Sequence, residues 1–192
     1  MTSYLLSAPA VEPVSLAQSK EFLRIDDANE DGFITSLIAA ARLHVESTTS
    51  RALISQSWRI IFDDWPSDRI VKLPVGPLLS LTEINVFDFD GAAHSIALAQ
   101  FQPETNTAAA RIFLPSMIDG LPLMRERAGI EIDYVAGFGV NPDDVPADLK
   151  QAIFSLIAYW FEHRDAVVIA GSGAIVPPGF DNLIASYRVV KL

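Results

Sequence analysis

The chain of 192 residues contains no cysteine, which excludes disulfide scaffolds, thiol catalysis and cysteine-based zinc sites. A chain without cysteine is also compatible with a reducing compartment. Histidine is scarce, since only His44, His94 and His163 occur, far apart and without a metal-ligand spacing. We interpret them as helix-packing or surface residues, and the sequence predicts no cofactor and no metal site.

Basic residues are also in short supply. Fourteen Lys and Arg stand against 24 Asp and Glu, for a net charge of −10, and the closest approach to a basic cluster is Arg125-Glu126-Arg127. A protein that grips nucleic acid through its phosphates is expected to be basic on at least one face. The composition therefore disfavours static binding of nucleic acid.

Long hydrophobic runs are missing too. The longest, residues 152–161, is far shorter than the roughly 20 residues that span a bilayer. Residues 1–13 have no basic region before their apolar stretch, so they do not have the pattern of a signal peptide. These features predict a soluble, cytoplasmic protein without a membrane partner.

The residues that are present predict a folded chain. Half of them are hydrophobic and only 20% are charged, which excludes a disordered or low-complexity protein. A chain of this length fits one domain, or one domain that carries an insertion.

Helical patterns occupy both ends of the chain. Ser15 followed by Gln18 matches a capping box that begins a short helix. Apolar residues at helical spacing predict a second helix over residues 33–51 and a third from Pro146 to about Asp165. An uncharged linker over residues 171–179 and a short last piece over 181–192 complete the chain.

The third helix is apolar over an unusually wide arc. Its apolar side chains cover roughly 220° of the circumference, about twice what a one-sided surface helix needs. Such a helix must be covered on two sides, and we expect the helix at residues 33–51 to supply part of that cover and another subunit to supply the rest. The residues predicted to pack between subunits are Phe154, Ile157, Trp160 and Phe161.

The middle of the chain has the two-residue alternation of strands. Asp90-Gly91 has the composition of a two-residue hairpin turn, and residues 115–129 are predicted to form a long loop. The predicted strands cover residues 57–62, 69–73, 81–89, 95–101, 111–114 and 130–135. The fold class is therefore α+β, with a helical core from residues 1–53 and 141–192 and a mostly antiparallel β insertion over 54–140.

One acidic segment resembles the start of a calcium loop. Residues 27–32 place oxygen ligands at Asp27, Asn29 and Asp31 ahead of a glycine. The twelfth position, which needs a glutamate, holds Ile38, and Ile38 belongs to the apolar stripe of the next helix. We interpret the segment as an acidic helix flank. The alternative is a metal-assisted hydrolase or nuclease that uses these residues or the carboxylate pairs at 63–64, 88/90 and 143–144.

The order of the segments is more informative than any single motif. In chain order they include Pro13-Val14-Ser15-Leu16-Ala17, Ala52-Leu53-Ile54-Ser55-Gln56-Ser57-Trp58-Arg59, Leu73-Pro74-Val75-Gly76-Pro77-Leu78, Asp88-Phe89-Asp90-Gly91, Ile132-Asp133-Tyr134-Val135-Ala136-Gly137-Phe138-Gly139, Val145-Pro146-Ala147-Asp148-Leu149 and Tyr159-Trp160-Phe161-Glu162-His163-Arg164. Over roughly residues 10–190 the chain resembles the head–tail connector (adaptor) family of long-tailed phages, prophages and phage-derived gene transfer agents.

The resemblance implies a non-enzymatic structural protein. Family members form a ring, usually of twelve subunits, between the portal protein and tail-side stopper or tail terminator proteins in the neck of the particle. DNA passes through the ring without specific binding. The C-terminal segment is the part expected to reach the portal, through Tyr187, Arg188, Val189 and Lys191. We expect truncation after Gly179 to abolish that attachment and leave the fold intact. A small adaptor in a bacterial complex unrelated to phage is a further alternative.

Overall fold

The computed structural model describes residues 1–105, 110–163 and 175–188. Contacts divide the chain into two compact units, one formed by Met1–Ala10 with Ser55–Phe138 and the other by Val11–Ile54 with Gly139–Leu192. The first is built of strands and we call it the β unit, and the second is the helical unit. The predicted α+β class is confirmed.

The β unit contains two antiparallel sheets. The larger has the strand order β1-β2-β8-β4-β5 and the smaller has the order β3-β7-β6. The strands are β1 (Thr2–Ser7), β2 (Gln56–Phe62), β3 (Ile70–Lys72), β4 (Leu78–Phe87), β5 (Ala93–Ser95), β6 (Gln102–Glu104), β7 (Arg111–Phe113) and β8 (Ile130–Ala136).

One face of the larger sheet forms the core of the β unit. Ile60 on β2 lies opposite Ile132 on β8, which in turn lies opposite Ile84 on β4. All three isoleucines are fully buried, and β-branched side chains that meet across strands pack well on a pleated surface. The alternation seen in β8 follows from this arrangement, because every second side chain points into the core.

The opposite face of the same sheet carries an ion-pair ladder. Arg59 lies opposite Asp133 and donates to both of its carboxylate oxygens, from Nε at 2.5 Å and from Nη2 at 2.7 Å. Its Nη1 lies 2.8 Å from Oε2 of Glu131. The hydrogen bonds to Asp133 raise the pKa of Arg59 further above its ordinary value. Two acids of β8 are therefore held by a single arginine of β2.

The turn after β4 is longer than the sequence predicts. Pairing with β5 stops at Phe87 and Ala93, so the connection has five residues, 88–92, instead of the two predicted. The reason is Asp88, whose Oδ1 accepts hydrogen bonds from the backbone N–H groups of Asp90 and Ala92 at 3.0 and 2.9 Å. A side chain that accepts a hydrogen bond from the backbone two residues further on stabilises such a turn.

The predicted strand over residues 95–101 is also wrong. β5 ends at Ser95, a 3-10 turn covers Leu98–Gln100, and β6 then joins the smaller sheet. Ile96 and Phe101, on either side of the turn, are both buried. The chain therefore bends because the bend places both side chains in the core.

Residues 1–10 belong to the β unit, whereas the sequence assigned them to the helical core. They contribute β1, which pairs antiparallel with β2. All six residues of β1 are exposed, so no buried face marks the strand in the sequence. It forms through a pairing with residues at least fifty positions away, which a local pattern cannot reveal.

The helical unit contains four helices in the described residues: α1 (Leu16–Leu23), α2 (Asp31–Thr49), α3 (Ala147–Glu162) and α4 (Phe180–Ile184). The capping box at Ser15 and Gln18 is confirmed, with hydrogen bonds of 3.1 and 2.9 Å. Of the predicted linker, residues 171–174 lie outside the described residues.

The wide apolar arc of α3 is covered largely by its own chain. α1, α2 and α4 all contact α3, and its buried side chains are Leu149, Ala152, Ile153, Leu156, Ile157 and Trp160. From the sequence we expected another subunit to cover the part of α3 that α1 and α4 cover in the structure. These two helices are only eight and five residues long, too short for a periodic pattern to show which surface they cover, so their role as cover is visible only in the folded chain.

We expect Ile60→Ala to destabilise the chain by about 2–5 kcal/mol, because it removes a fully buried side chain and leaves a cavity. Ile61→Ala is the matched control, since Ile61 is only half-buried on the other face. Urea unfolding of both variants measures the difference. Equal losses for the two variants would contradict the assignment of the core face.

Candidate functional site: interaction surfaces of the helical unit

Two of the predicted subunit contacts lie inside the helical unit. Ile157 is 0% exposed and Trp160 is 3% exposed. The indole Nε1 of Trp160 donates to the backbone oxygen of Ile175 at 2.9 Å, and the His44 ring meets its ring edge-on at 5.8 Å. These two side chains have almost no surface to offer a neighbour. Their assignment to a subunit contact is corrected to packing within the protomer.

Phe154 and Phe161 are placed differently, on the partly exposed side of α3. They are half-buried and seven residues apart, so they share one helix face. Phe154 stacks on Phe22 of α1 with ring centroids 5.1 Å apart, and Phe161 packs against Phe33 of α2 at 5.9 Å. We call these four side chains the aromatic stripe. Its outermost member, Phe22, is 44% exposed.

The C-terminal segment is anchored in the core of the helical unit. Phe180 and Ile184 of α4 are buried, and the ring of Phe180 lies 5.4 Å from that of His44. Beyond α4, the buried Arg51 donates from Nε to the backbone oxygen of Tyr187 at 2.7 Å. The expectation that truncation after Gly179 leaves the fold intact is therefore wrong, because that cut removes two core side chains.

The first predicted portal-docking residue, Tyr187, is also the residue that Arg51 binds. Tyr187 is half-buried and Arg188 is exposed. Arg188 forms an ion pair with Asp181 of α4. Val189 and Lys191 lie outside the described residues. The docking role of all four residues stays a prediction.

A buried ion network is centred on Arg42, in the second half of α2. Arg42 donates from Nε to Glu12 and from Nη1 to Glu46, both at 2.8 Å. Glu46 also accepts from the backbone N–H of Leu53 at 2.9 Å. Each charge has its partner, as buried charges require, so this network is structural and offers no free group for chemistry.

Several of the carboxylates considered for a metal site form local bonds. Asp27 accepts from the backbone N–H of Asn29 at 2.9 Å, which lowers its pKa, and Asp31 pairs with Nζ of Lys20 at 2.6 Å. In the turns, Asp63 accepts from the backbone N–H of Ala128 and Asp88 pairs with His94. Within the described residues, no three His, Asp or Glu side chains converge as a metal site. These local bonds are of the kind that carboxylates form at helix caps and in turns.

The three histidines occupy separate places. His94 pairs with Asp88 in the β unit, His163 stacks on Tyr159 at 4.5 Å, and His44 packs between Trp160 and Phe180. Burial lowers the pKa of His44, with a smaller opposing effect of Asp181. Burial among these rings thus favours the neutral form of His44.

We expect the free energy of unfolding to fall as the pH drops below about 6.5, the ordinary histidine value, because the unfolded chain then binds a proton that folded His44 resists. Above that pH both states are neutral and His44 contributes no dependence. Urea midpoints at pH 7.5, 6.5 and 5.5 measure the slope, and His44→Gln should flatten it. Parallel profiles for the two chains would contradict this assignment.

No helix in the part of the chain that the structure describes is both long and apolar enough to cross a bilayer. The surfaces described above include an aromatic stripe, an anchored C-terminal segment and several carboxylates engaged in caps and turns. Such surfaces are typical of the class of structural proteins that assemble with other proteins.

The comparisons with known proteins agree with that class and specify it. The family model of the phage gp6-like head–tail connector proteins matches residues 13–91. A chain in the virion of a native gene transfer agent particle is 28% identical, with a TM-score of 0.80, and the match covers 100% of this chain and 97% of that one. No protein of curated function matches the sequence significantly.

Two further structures come from particle necks. A chain in the neck of an empty gene transfer agent particle, computed with C6 symmetry, is 27% identical with a TM-score of 0.82. A chain in the neck of a native particle, computed with C12 symmetry, is 27% identical with a TM-score of 0.75. Each match covers 100% of this chain and 97% of the other. The resemblance to head–tail connectors is confirmed.

Proposed function

We propose that this chain is a structural head–tail adaptor that forms a ring in the neck of a phage or phage-like particle. The observation that carries the proposal is the match, over the full length, to chains in gene transfer agent necks. Identities of 27–28% over the whole chain support more than a shared fold. The family match over residues 13–91 adds the connector description independently.

The ring is the first part of the proposal. The neck structures of similar chains were computed with C6 and C12 symmetry, which supports a closed ring, and we propose twelve copies. Rings are made by head-to-tail contacts between two different patches of one chain. The aromatic stripe suits one such patch, because interface cores are enriched in aromatic side chains.

Docking to the portal is the second part. The segment that starts at Tyr187 follows directly on the buried Ile184 of α4, and Arg51 binds its first residue. After Asp181 the chain holds two basic residues, Arg188 and Lys191, and no acid. A short cationic and β-prone end can add a strand to a partner or contact an acidic surface. The opposite side of the ring would receive the tail-side stopper or terminator proteins.

The charge of the chain fits a channel for DNA. A net charge of −10 repels phosphates, so DNA would pass without being held. Several of the carboxylates that the hydrolase alternative would use are engaged in local bonds, which supports a structural role over that alternative. The proposed place of action is the particle neck, after assembly in the bacterial cytoplasm.

The aromatic stripe can be tested by assembly. Phe154→Gln should raise the concentration of half-maximal ring formation at least tenfold, because it removes an aromatic side chain from the subunit contact. Leu43→Gln is the matched control, since Leu43 is 57% exposed on α2 of the same unit. Sedimentation and negative-stain imaging measure the rings, and urea unfolding checks that both variants fold. Normal assembly of a folded Phe154→Gln would contradict the contact.

Portal docking can be separated from folding by two variants. Deletion of residues 189–192 should leave the urea midpoint unchanged and weaken binding to the purified portal protein at least tenfold. Phe180→Ala should instead cost about 3–5 kcal/mol of stability, because it empties a buried site. Unchanged portal binding after the deletion would contradict the docking role.

A further inference from the structure

The first strand of the chain is an exposed edge of the larger sheet. Every residue of β1 is exposed, including Tyr4 at 41%, Leu5 at 42% and Leu6 at 44%. β1 is at one end of the strand order, and among the described residues it pairs only with β2. Its outer edge therefore presents a row of backbone N–H and C=O groups that no described strand pairs.

The apolar face of the sheet continues as far as this edge. Leu5 lies opposite Trp58, two residues from the fully buried Ile60 on the same face of β2. The register shifts between Leu5 and Ser7, so Leu6 is the extra residue of a bulge. A strand laid beside β1 would extend the ladder and cover Leu5 and Leu6 together.

Apart from the bulge at Leu6, this strand has no feature that hinders such pairing. Soluble proteins protect a free edge with lysine, other charges or proline, and residues 2–7 contain none of these. Indeed, no charged side chain occurs before Glu12. The other strands of four or more residues each carry at least one charge, namely Arg59 in β2, Glu83 in β4, and Glu131 and Asp133 in β8.

We propose that the outer edge of β1 pairs with an extended segment of a neighbouring copy of this chain, as a second contact between ring subunits. The inference rests on the proposed ring. A ring places the same chain on both sides of every subunit, as the C12 and C6 symmetry of the similar neck chains implies for them.

The charge of the chain favours the same partner for β1, a second copy of this chain. Two copies of a chain with a net charge of −10 repel each other wherever their acids face. An uncharged strand allows close approach, because pairing through backbone hydrogen bonds needs no charged partner. A partner chosen by opposite charge would find no charged side chain on residues 2–7 to bind.

Lysine placed on the edge tests the pairing. Leu6→Lys should reduce the fraction of chain in rings at least tenfold and leave the urea midpoint unchanged, because Leu6 is exposed in the protomer. Met117→Lys is the matched control, since it makes the same charge change at a 77% exposed apolar residue of the same unit and should assemble within twofold of wild type.

Hydrogen exchange supplies a readout that does not depend on the variants. In wild-type chain, amides of residues 2–7 should exchange at least tenfold more slowly in the ring than in the monomer, while those of residues 115–121 keep their rate. Rings that form normally with Leu6→Lys, or without added protection of residues 2–7, overturn the inference and leave the ring itself standing. A wild-type chain that forms no ring, even with the portal protein present, overturns the proposed function instead.

Discussion

The burial of one helix organises the helical unit. α3 is apolar over so much of its circumference that no single neighbour can cover it, and the hydrophobic effect therefore draws α1, α2 and α4 onto it from both ends of the chain. Phe180 and Ile184 of α4 are the buried side chains that the C-terminal segment contributes to this cover. The need to cover α3 thus makes Phe180 and Ile184 of the C-terminal segment part of the core.

The surfaces left over are consistent with an assembly protein. The aromatic stripe is half-buried by its own neighbours, and the exposed β1 edge is uncharged in an acidic chain. The acids, by contrast, are used where they cap turns and pair with arginine and lysine, as Asp88, Asp133 and Asp31 illustrate. These exposed apolar patches agree with the connector resemblance.

Local patterns carried much of the prediction. The capping box at Ser15, the long stripe of α2 and the alternation of β8 were all read correctly, because capping chemistry and the period of apolar residues act over a few neighbouring positions. The five-residue turn held by Asp88, the bend before β6 and the pairing of β1 with β2 were missed. Each depends on a particular hydrogen bond or on a partner distant in sequence, and the period of the side chains contains neither.

By itself, the sequence determined that α3 exists and must be enclosed, that the chain mixes helices with an antiparallel sheet, and that its segments follow the order of head–tail connectors. Only the tertiary structure decided which part of the chain encloses Ile157 and Trp160, and which rings remain at the surface beside Phe154. The physical reason is that apolar periodicity reports whether a side chain avoids water, whereas the identity of what covers it depends on long-range packing.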